Sequence, residues 1–288
     1  MINRDKEYFD EGAKKWISES YDEDGSMAKI RLNMVNDLIS QRDPISILDV
    51  GCGDGRFLSE LDHAIRRVGI DFSNTMIKLA EMNNPDMLFS NIDLNDEVNL
   101  QGLNKLGGFD CITMMGVVHY LTKPSLTLNR LKACLSKSAD FIISFRNRLY
   151  NVNSHSKYHS SDLTKRDLSL LNQELELWRQ SDFLNVDLLN AMKAKAKGEQ
   201  LLKKLKKLDF FEGINDKFWN PYGLDNWRQF TPINSILLLE NVGLKSLSLI
   251  PLNKSLRYLE EFSLMSNEKK ANILLESSSF LIVAKRIH

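Results

Sequence analysis

Cysteine is scarce in this chain of 288 residues: only Cys52, Cys111 and Cys134 are present, and no two form a Cys-x-x-Cys pair. That excludes a disulfide framework, fits a reducing compartment, and leaves no metal centre to expect. Net charge is missing as well, since 38 Lys and Arg residues balance 38 Asp and Glu residues. Zero net charge argues against a dedicated duplex-nucleic-acid binder, whose affinity rests on a basic face, but it allows a local basic patch. No apolar run approaches the roughly 20 residues that span a bilayer. The first residues, MINRDKEYFDEG, carry charges where a signal peptide needs an apolar core. Together these absences predict a soluble, cytoplasmic protein without a membrane span. What is present is ordinary for a globular fold, with 43% hydrophobic and 26% charged residues. The length suggests two domains, or one core with a sizeable addition.

Residues 1–42 read as a polar, helical flap, with apolar positions 27, 30, 34, 35 and 38 spaced as one buried helix face. Arg42-Asp43-Pro44 breaks it. Apolar runs then alternate with helical stretches. Strands are expected at 45–50, 68–71, 87–92, 109–115 and 139–145, and helices at 57–65, 73–82 and 125–135. That alternation is the signature of a parallel sheet with crossover helices. Residues 148–230 interrupt the rhythm with a polar connector, long helical patterns and an aromatic loop. Thr231-Pro232 restarts a helix that ends at Gly243, and strands follow at 245–250 and 280–285. The expected organisation is a doubly wound α/β core of residues 43–147 and 231–288, with 148–230 as a helical cap insertion.

The informative segment is Ile47-Leu48-Asp49-Val50-Gly51-Cys52-Gly53-Asp54-Gly55-Arg56-Phe57, a strand entering a glycine turn that opens a helix. Residues without side chains let the backbone pass close to a ligand, and the helix start offers free N–H groups. A dinucleotide site needs a third glycine where Arg56 stands. Asp71 closes the second strand, 22 residues after Asp49, where a carboxylate can accept both hydrogen bonds of a ribose. Asp93 closes the third strand, next to Ile92, and can accept from the amine of a purine. Phe72 and Met76 offer apolar surface for the base.

In these residues the chain resembles the class I S-adenosylmethionine-dependent methyltransferases: ILDVGCGDG (47–55), VGIDFSNTMIKLA (68–80), NIDLND (91–96) and FDCITMMGVVHYL (109–121). The resemblance is strong over 30–147 and weaker at 228–232. It implies a Rossmann-like, doubly wound, mostly parallel seven-stranded sheet whose antiparallel strand is 280–285. It also implies S-adenosylmethionine as cofactor, with Asp49, Gly51, Cys52 and Gly53 at the methionine moiety, Asp71 at the ribose and Asp93 at the adenine. Met115 and Gly116 would line the cleft. Tyr21 and Arg31 resemble the family's N-terminal flap; anchoring of the first helix is the plain alternative.

For transfer to oxygen or nitrogen a proton must leave the acceptor, and His119, just after the fourth strand, is the candidate base. A packing histidine is the alternative. Tyr120, Arg146, Asn147, Tyr150 and Trp227 are candidates for the acceptor site, since loops at strand ends bind ligands. Arg146 or Arg148 could hold an anionic group, against the plainer reading of solvated charges. Trp219, Tyr222, Trp227 and Phe230 could line the cap's inner wall or serve as core. The lysines of 193–207 read as a solvated helix face, or as a basic surface for an anionic substrate. The expected acceptor is a small molecule, with some preference for a sugar or glycan precursor. RNA or protein methylation, and cofactor binding without catalysis, are the alternatives.

Overall fold

A computed structural model describes residues 7–12, 26–152, 165–184, 187–207, 213–215, 226–256 and 258–287. Seven strands form one sheet: β1 (Ser46–Val50), β2 (Arg66–Asp71), β3 (Leu88–Asn91), β4 (Phe109–Met114), β5 (Leu135–Arg146), β8 (Leu244–Leu252) and β9 (Ser279–Arg286). Their order is β3-β2-β1-β4-β5-β9-β8. The first five run parallel, and β9 lies antiparallel to both β5 and β8. This is the mostly parallel, doubly wound sheet that the alternating pattern predicts. The strand at 280–285 is the antiparallel one. Strands β6 (Ile214–Asn215) and β7 (Arg228–Gln229) pair separately.

The middle strands are largely apolar because crossover helices cover both faces. Ile47, Leu48 and Val50 of β1 are fully buried, as are Phe141, Ile142 and Ile143 of β5. Each such side chain contributes about 1.5–3 kcal/mol by leaving water. Helix α1 covers residues 7–12, and α2 (Met27–Ser40) buries the predicted face with Ile30, Met34, Val35 and Leu38. Helices α3 (Arg56–Ser59), α4 (Asn74–Asn83), α5 (Glu97–Gly102) and α6 (Pro124–Ala133) fill the crossovers. Ser73 caps α4 by accepting from the Met76 N–H. Helix α10 (Pro232–Asn241) starts in a capping box of Thr231 and Asn234, with Pro232 in the first turn.

Three expectations shift. The helix expected over 57–65 ends at Ser59, because Asp62 folds into a turn with the Ala64 N–H and the Arg67 guanidinium takes the Leu58 and Leu61 carbonyls. Strand β2 correspondingly begins at Arg66, two residues early. Its charge conceals it from a hydrophobic pattern, although Arg66 lies over the Phe109 ring at 4.3 Å. Strand β5 also starts early, at Leu135, through an irregular segment with Ser138 at φ 65°.

Within 148–230, α7 (Lys165–Arg179), α8 (Leu188–Lys193) and α9 (Ala196–Lys207) pack on one another and toward β8, α10 and α12 (Asn267–Glu276). Buried Glu174 of α7 accepts from the Ile233 N–H at 2.8 Å and from the Trp178 indole, tying the insertion to α10. Leu201, Leu202 and Leu205 are buried while Lys203 and Lys204 are exposed. The amphipathic α9 is thus a helix with a solvated basic face. A short helix, α11 (Leu259–Ser263), precedes α12.

Candidate functional site

Strand order reverses between β1 and β4, so their outgoing loops diverge and leave a crevice at the carboxyl ends of the strands. The loop after β1 carries Gly51, Gly53 and Gly55, all at positive φ. Gly51 lies so close to the loop after β4 that an added Cβ would stand 2.2 Å from Val117 Cγ2. Around Gly53 an added Cβ meets nothing within 4 Å, so the backbone there faces open space.

That space holds about 1250 Å3. It is lined by Arg31, Asp49, Gly51, Cys52, Gly53, Asp71, Phe72, Met76, Ile92, Asp93, Met115 and Gly116, which are the expected cofactor residues, and by Phe9 and Tyr120 besides. Tyr21 lies outside the described residues. Asp71 accepts from the Gly53 N–H at 3.0 Å and the Ser73 N–H at 2.9 Å, so it fixes both the glycine loop and the start of α4. Asp49 accepts from Thr113 Oγ1 at 2.7 Å. Burial pushes the Asp49 carboxyl up to about 7, with the Thr113 bond opposing and Asp71 adding to the rise. Burial also pushes Asp71 up to about 6, against the two N–H bonds. Two desolvated carboxylates beside an open glycine cradle suit a ligand with cationic and hydroxyl groups. Phe72, Met76 and Ile92 form an apolar wall ending at Asp93, which fits a ribose and a flat base. Adenosyl and methionyl parts of S-adenosylmethionine are both accommodated by this donor set.

Residues the sequence left unassigned complete the cleft. Phe9 of α1 meets Phe72 and Tyr120 edge-on, with centroids 5.5 and 5.4 Å apart. Its neighbour Asp10 accepts from Ser73 Oγ and from the Thr75 N–H, pinning α1 to α4. The aromatic pair Tyr8-Phe9 on an otherwise polar helix was the available signal.

A second chamber of about 790 Å3 adjoins the first and shares Arg31, Gly116 and Tyr120 with it. Its lining includes His119, Arg146 and Trp227 from the expected set, together with Tyr8, Ser144, Ser278 and Ser279. His119 is buried, and its Nδ1 has no hydrogen-bond partner among the described residues. Burial, then the charges of Arg146 and Arg31, hold the imidazole well below its usual pKa, so it is neutral at pH 7. The Trp227 indole meets both His119 and Tyr120, and the Arg146 guanidinium lies 4.1 Å from its ring centre. Arg228 fixes this indole's backbone by donating to the Leu121 and Thr122 carbonyls at 2.8 and 2.9 Å. Of the described residues of the insertion, only Trp227 lines either chamber; helices α7–α9 line neither.

Asn147, expected at the acceptor site, borders neither chamber. Its amide donates to the Leu274 and Ser277 carbonyls at 2.7 and 2.9 Å, and its Oδ1 accepts from the Leu149 N–H. Both its amide hydrogens are thus engaged at the end of α12, and its oxygen holds the turn that follows β5. Tyr150 borders neither chamber. Phe230 is fully buried against Phe145 and belongs to the core.

A sequence model of the family described as "Methyltransferase domain" matches residues 22–198. No curated protein matches the chain. Among solved structures it is similar to magnesium protoporphyrin IX methyltransferase from Synechocystis PCC 6803 with bound SAH, at 14% identity, TM-score 0.52, and 98% and 97% coverage of the two chains. It is also similar to the Burkholderia thailandensis 1,6-didemethyltoxoflavin-N1-methyltransferase, at 14% identity, TM-score 0.54, and 99% and 88% coverage. The [4+2]-cyclase SpnF matches at 11% identity and TM-score 0.54, covering 100% and 97%. At these identities the likeness is one of fold, and a fold shared with a cyclase leaves the chemistry to the site.

Proposed function

The chain belongs to the methyltransferase-domain family and is an S-adenosylmethionine-dependent enzyme, and from that premise we propose that it methylates a small molecule at oxygen or nitrogen. The observation that carries this reading is the second chamber. It opens beside the cofactor cleft across Arg31, Gly116 and Tyr120, and it brings His119 to the border of that cleft. The two solved enzymes named for a porphyrin and a toxoflavin precursor support a small acceptor on this fold.

S-adenosylmethionine held in the first cleft would supply an electrophilic methyl group on a positively charged sulfur. In this proposal Asp71 takes the ribose hydroxyls, Asp49 and the Gly51–Gly53 backbone hold the methionyl end, and Asp93 takes the adenine amine. Phe9 and Tyr120 close the site against water. His119, neutral and with Nδ1 unengaged, receives the acceptor's proton. Much of the acceleration comes from holding acceptor and methyl group in line. Residues 43–147 and 231–288 form the catalytic core, and the insertion contributes Trp227.

Calorimetry with S-adenosylmethionine and its demethylated product tests the foundation: binding of neither ends the reading. A screen with methyl-labelled cofactor then finds acceptors. In that assay H119A should lower kcat by roughly 10²–10⁴ while leaving product affinity unchanged. Full turnover would reject His119 as the base and return it to packing.

The raised carboxyls give a pH signature. Asp49 and Asp71 must be ionised to favour the cationic cofactor, and in the free protein they gain protons near pH 7 and pH 6. Lowering the pH from 8 to 5 should therefore weaken cofactor binding by roughly ten- to a hundredfold, with a plateau above pH 8. Calorimetry across that range reads the effect, and a flat profile contradicts it.

A further inference from the structure

Ser144 interrupts the apolar run of β5, between Ile143 and Phe145, and it is only 3% exposed. Its Oγ accepts from the Gly116 N–H at 2.7 Å, which holds the loop after β4 where the chain turns at φ 73°. That bond uses a lone pair of the hydroxyl and leaves its hydrogen. Among the described residues this hydrogen finds no acceptor, and a buried donor left in that state is costly. Ser278 and Ser279 line the same chamber, but both are half-buried and within reach of water.

This hydroxyl stands where the two reactants have to meet. Ser144 lines the second chamber, and its partner Gly116 borders both. The turn Val118–Tyr120 packs on β5 and brings His119 into the same lining. His119 is buried and neutral, and its Nδ1 is unpartnered among the described residues. One chamber thus holds a donor without an acceptor and an imidazole able to take a proton. A single atom that both accepts and donates completes the two. A hydroxyl oxygen does so with a lone pair to spare, because it carries two. An amine nitrogen carries one, and a hydrogen bond from Ser144 occupies the pair that has to attack.

We propose that Ser144 donates its hydroxyl hydrogen to the acceptor atom while His119 takes that atom's proton, and that this pairing selects oxygen over nitrogen. The inference rests on the methyltransferase reading and narrows it to a hydroxyl acceptor. The acceptor oxygen keeps one lone pair on Ser144 and gives the other to the methyl carbon, sulfur leaving with the bonding pair. Its proton passes to His119. The Gly116 N–H in turn orients the Ser144 hydroxyl, so the same serine that fixes the loop after β4 sets the line of attack.

The test uses the full chain saturated with the demethylated cofactor product and two probes of one shape, phenol and aniline. By calorimetry phenol should bind roughly fivefold or more tighter, because the one lone pair of aniline is drawn into its ring and accepts poorly. S144A should shrink that preference by roughly threefold or more. S144C, close to serine in size but with only a weak S–H donor, should do the same, so a folding defect in one variant leaves the other to decide. Binding of the cofactor product shows which variants are folded. A merely structural serine would move both probes together and leave their ratio unchanged. A preference below about fivefold, no phenol binding at millimolar concentration, or a ratio that a folded variant leaves within about threefold of wild type would each overturn the proposal. Failure of the wild type to bind the cofactor product instead takes down the underlying reading, and this proposal with it.

Discussion

Asp71→Ala should weaken S-adenosylmethionine binding by about a hundredfold. The carboxylate has two oxygens, one engaged by the Gly53 N–H and one by the Ser73 N–H, and it lines the cleft. Two charge-assisted bonds to a ribose diol at about 1.5 kcal/mol each give that factor. Loss of the Gly53 bond adds to it, because the glycine loop is then free to leave the position that the ligand needs. The unliganded variant should melt close to the wild type, since the removed carboxylate is itself a desolvation burden that lifts its pKa to about 6. Affinity within twofold of wild type would take the ribose away from Asp71.

Gly51→Ala is expected to cause the largest loss of stability of any single methyl added at the site. Gly51 sits at φ 76°, where an alanine costs about 1–2 kcal/mol. Its new Cβ would also stand 2.2 Å from Val117 Cγ2, which forces the loops after β1 and β4 apart at a further cost of about 1–3 kcal/mol. For a chain of this size the melting temperature should fall by roughly 4–20 °C. The two causes separate in a double variant. Val117→Ala removes the clashing methyl and leaves Val117 Cβ at 3.6 Å, an ordinary contact. G51A/V117A should therefore recover at least about 1 kcal/mol relative to the sum of the singles. Simple additivity would show that backbone strain acts alone.

The cofactor side was legible because its determinants are local in sequence. A strand, a glycine turn and a carboxylate at the end of each of three successive strands can be read in order, and the fold brings them to one crevice. The acceptor side is assembled by long-range register, which no local pattern reveals. Ser278 and Ser279 reach the chamber only because β9 runs antiparallel beside β5. Asp10 joins Ser73 across 63 positions of sequence. Asn147 shows the converse: polar and at a strand end, it has the look of a ligand-binding residue. Its partners are the Leu274 and Ser277 carbonyls, which decide its role and lie more than a hundred residues away. The early start of β2 was hidden for a different reason, because Arg66 and Arg67 extend a buried strand through residues that no hydropathy pattern would place there.

The order in which the two chambers are completed follows from the same layout. Every described residue lining the first cleft lies between Phe9 and Leu121, whereas the described lining of the second includes Trp227, Ser278 and Ser279. On the ribosome the described residues of the first cleft are therefore written out more than a hundred codons before the second chamber has its last wall. A nascent or truncated chain that halts between them has the residues for one reactant and lacks a finished room for the other. The strand that supplies Ser279 also slots between β5 and β8, so the same late step seals the sheet and completes the second chamber.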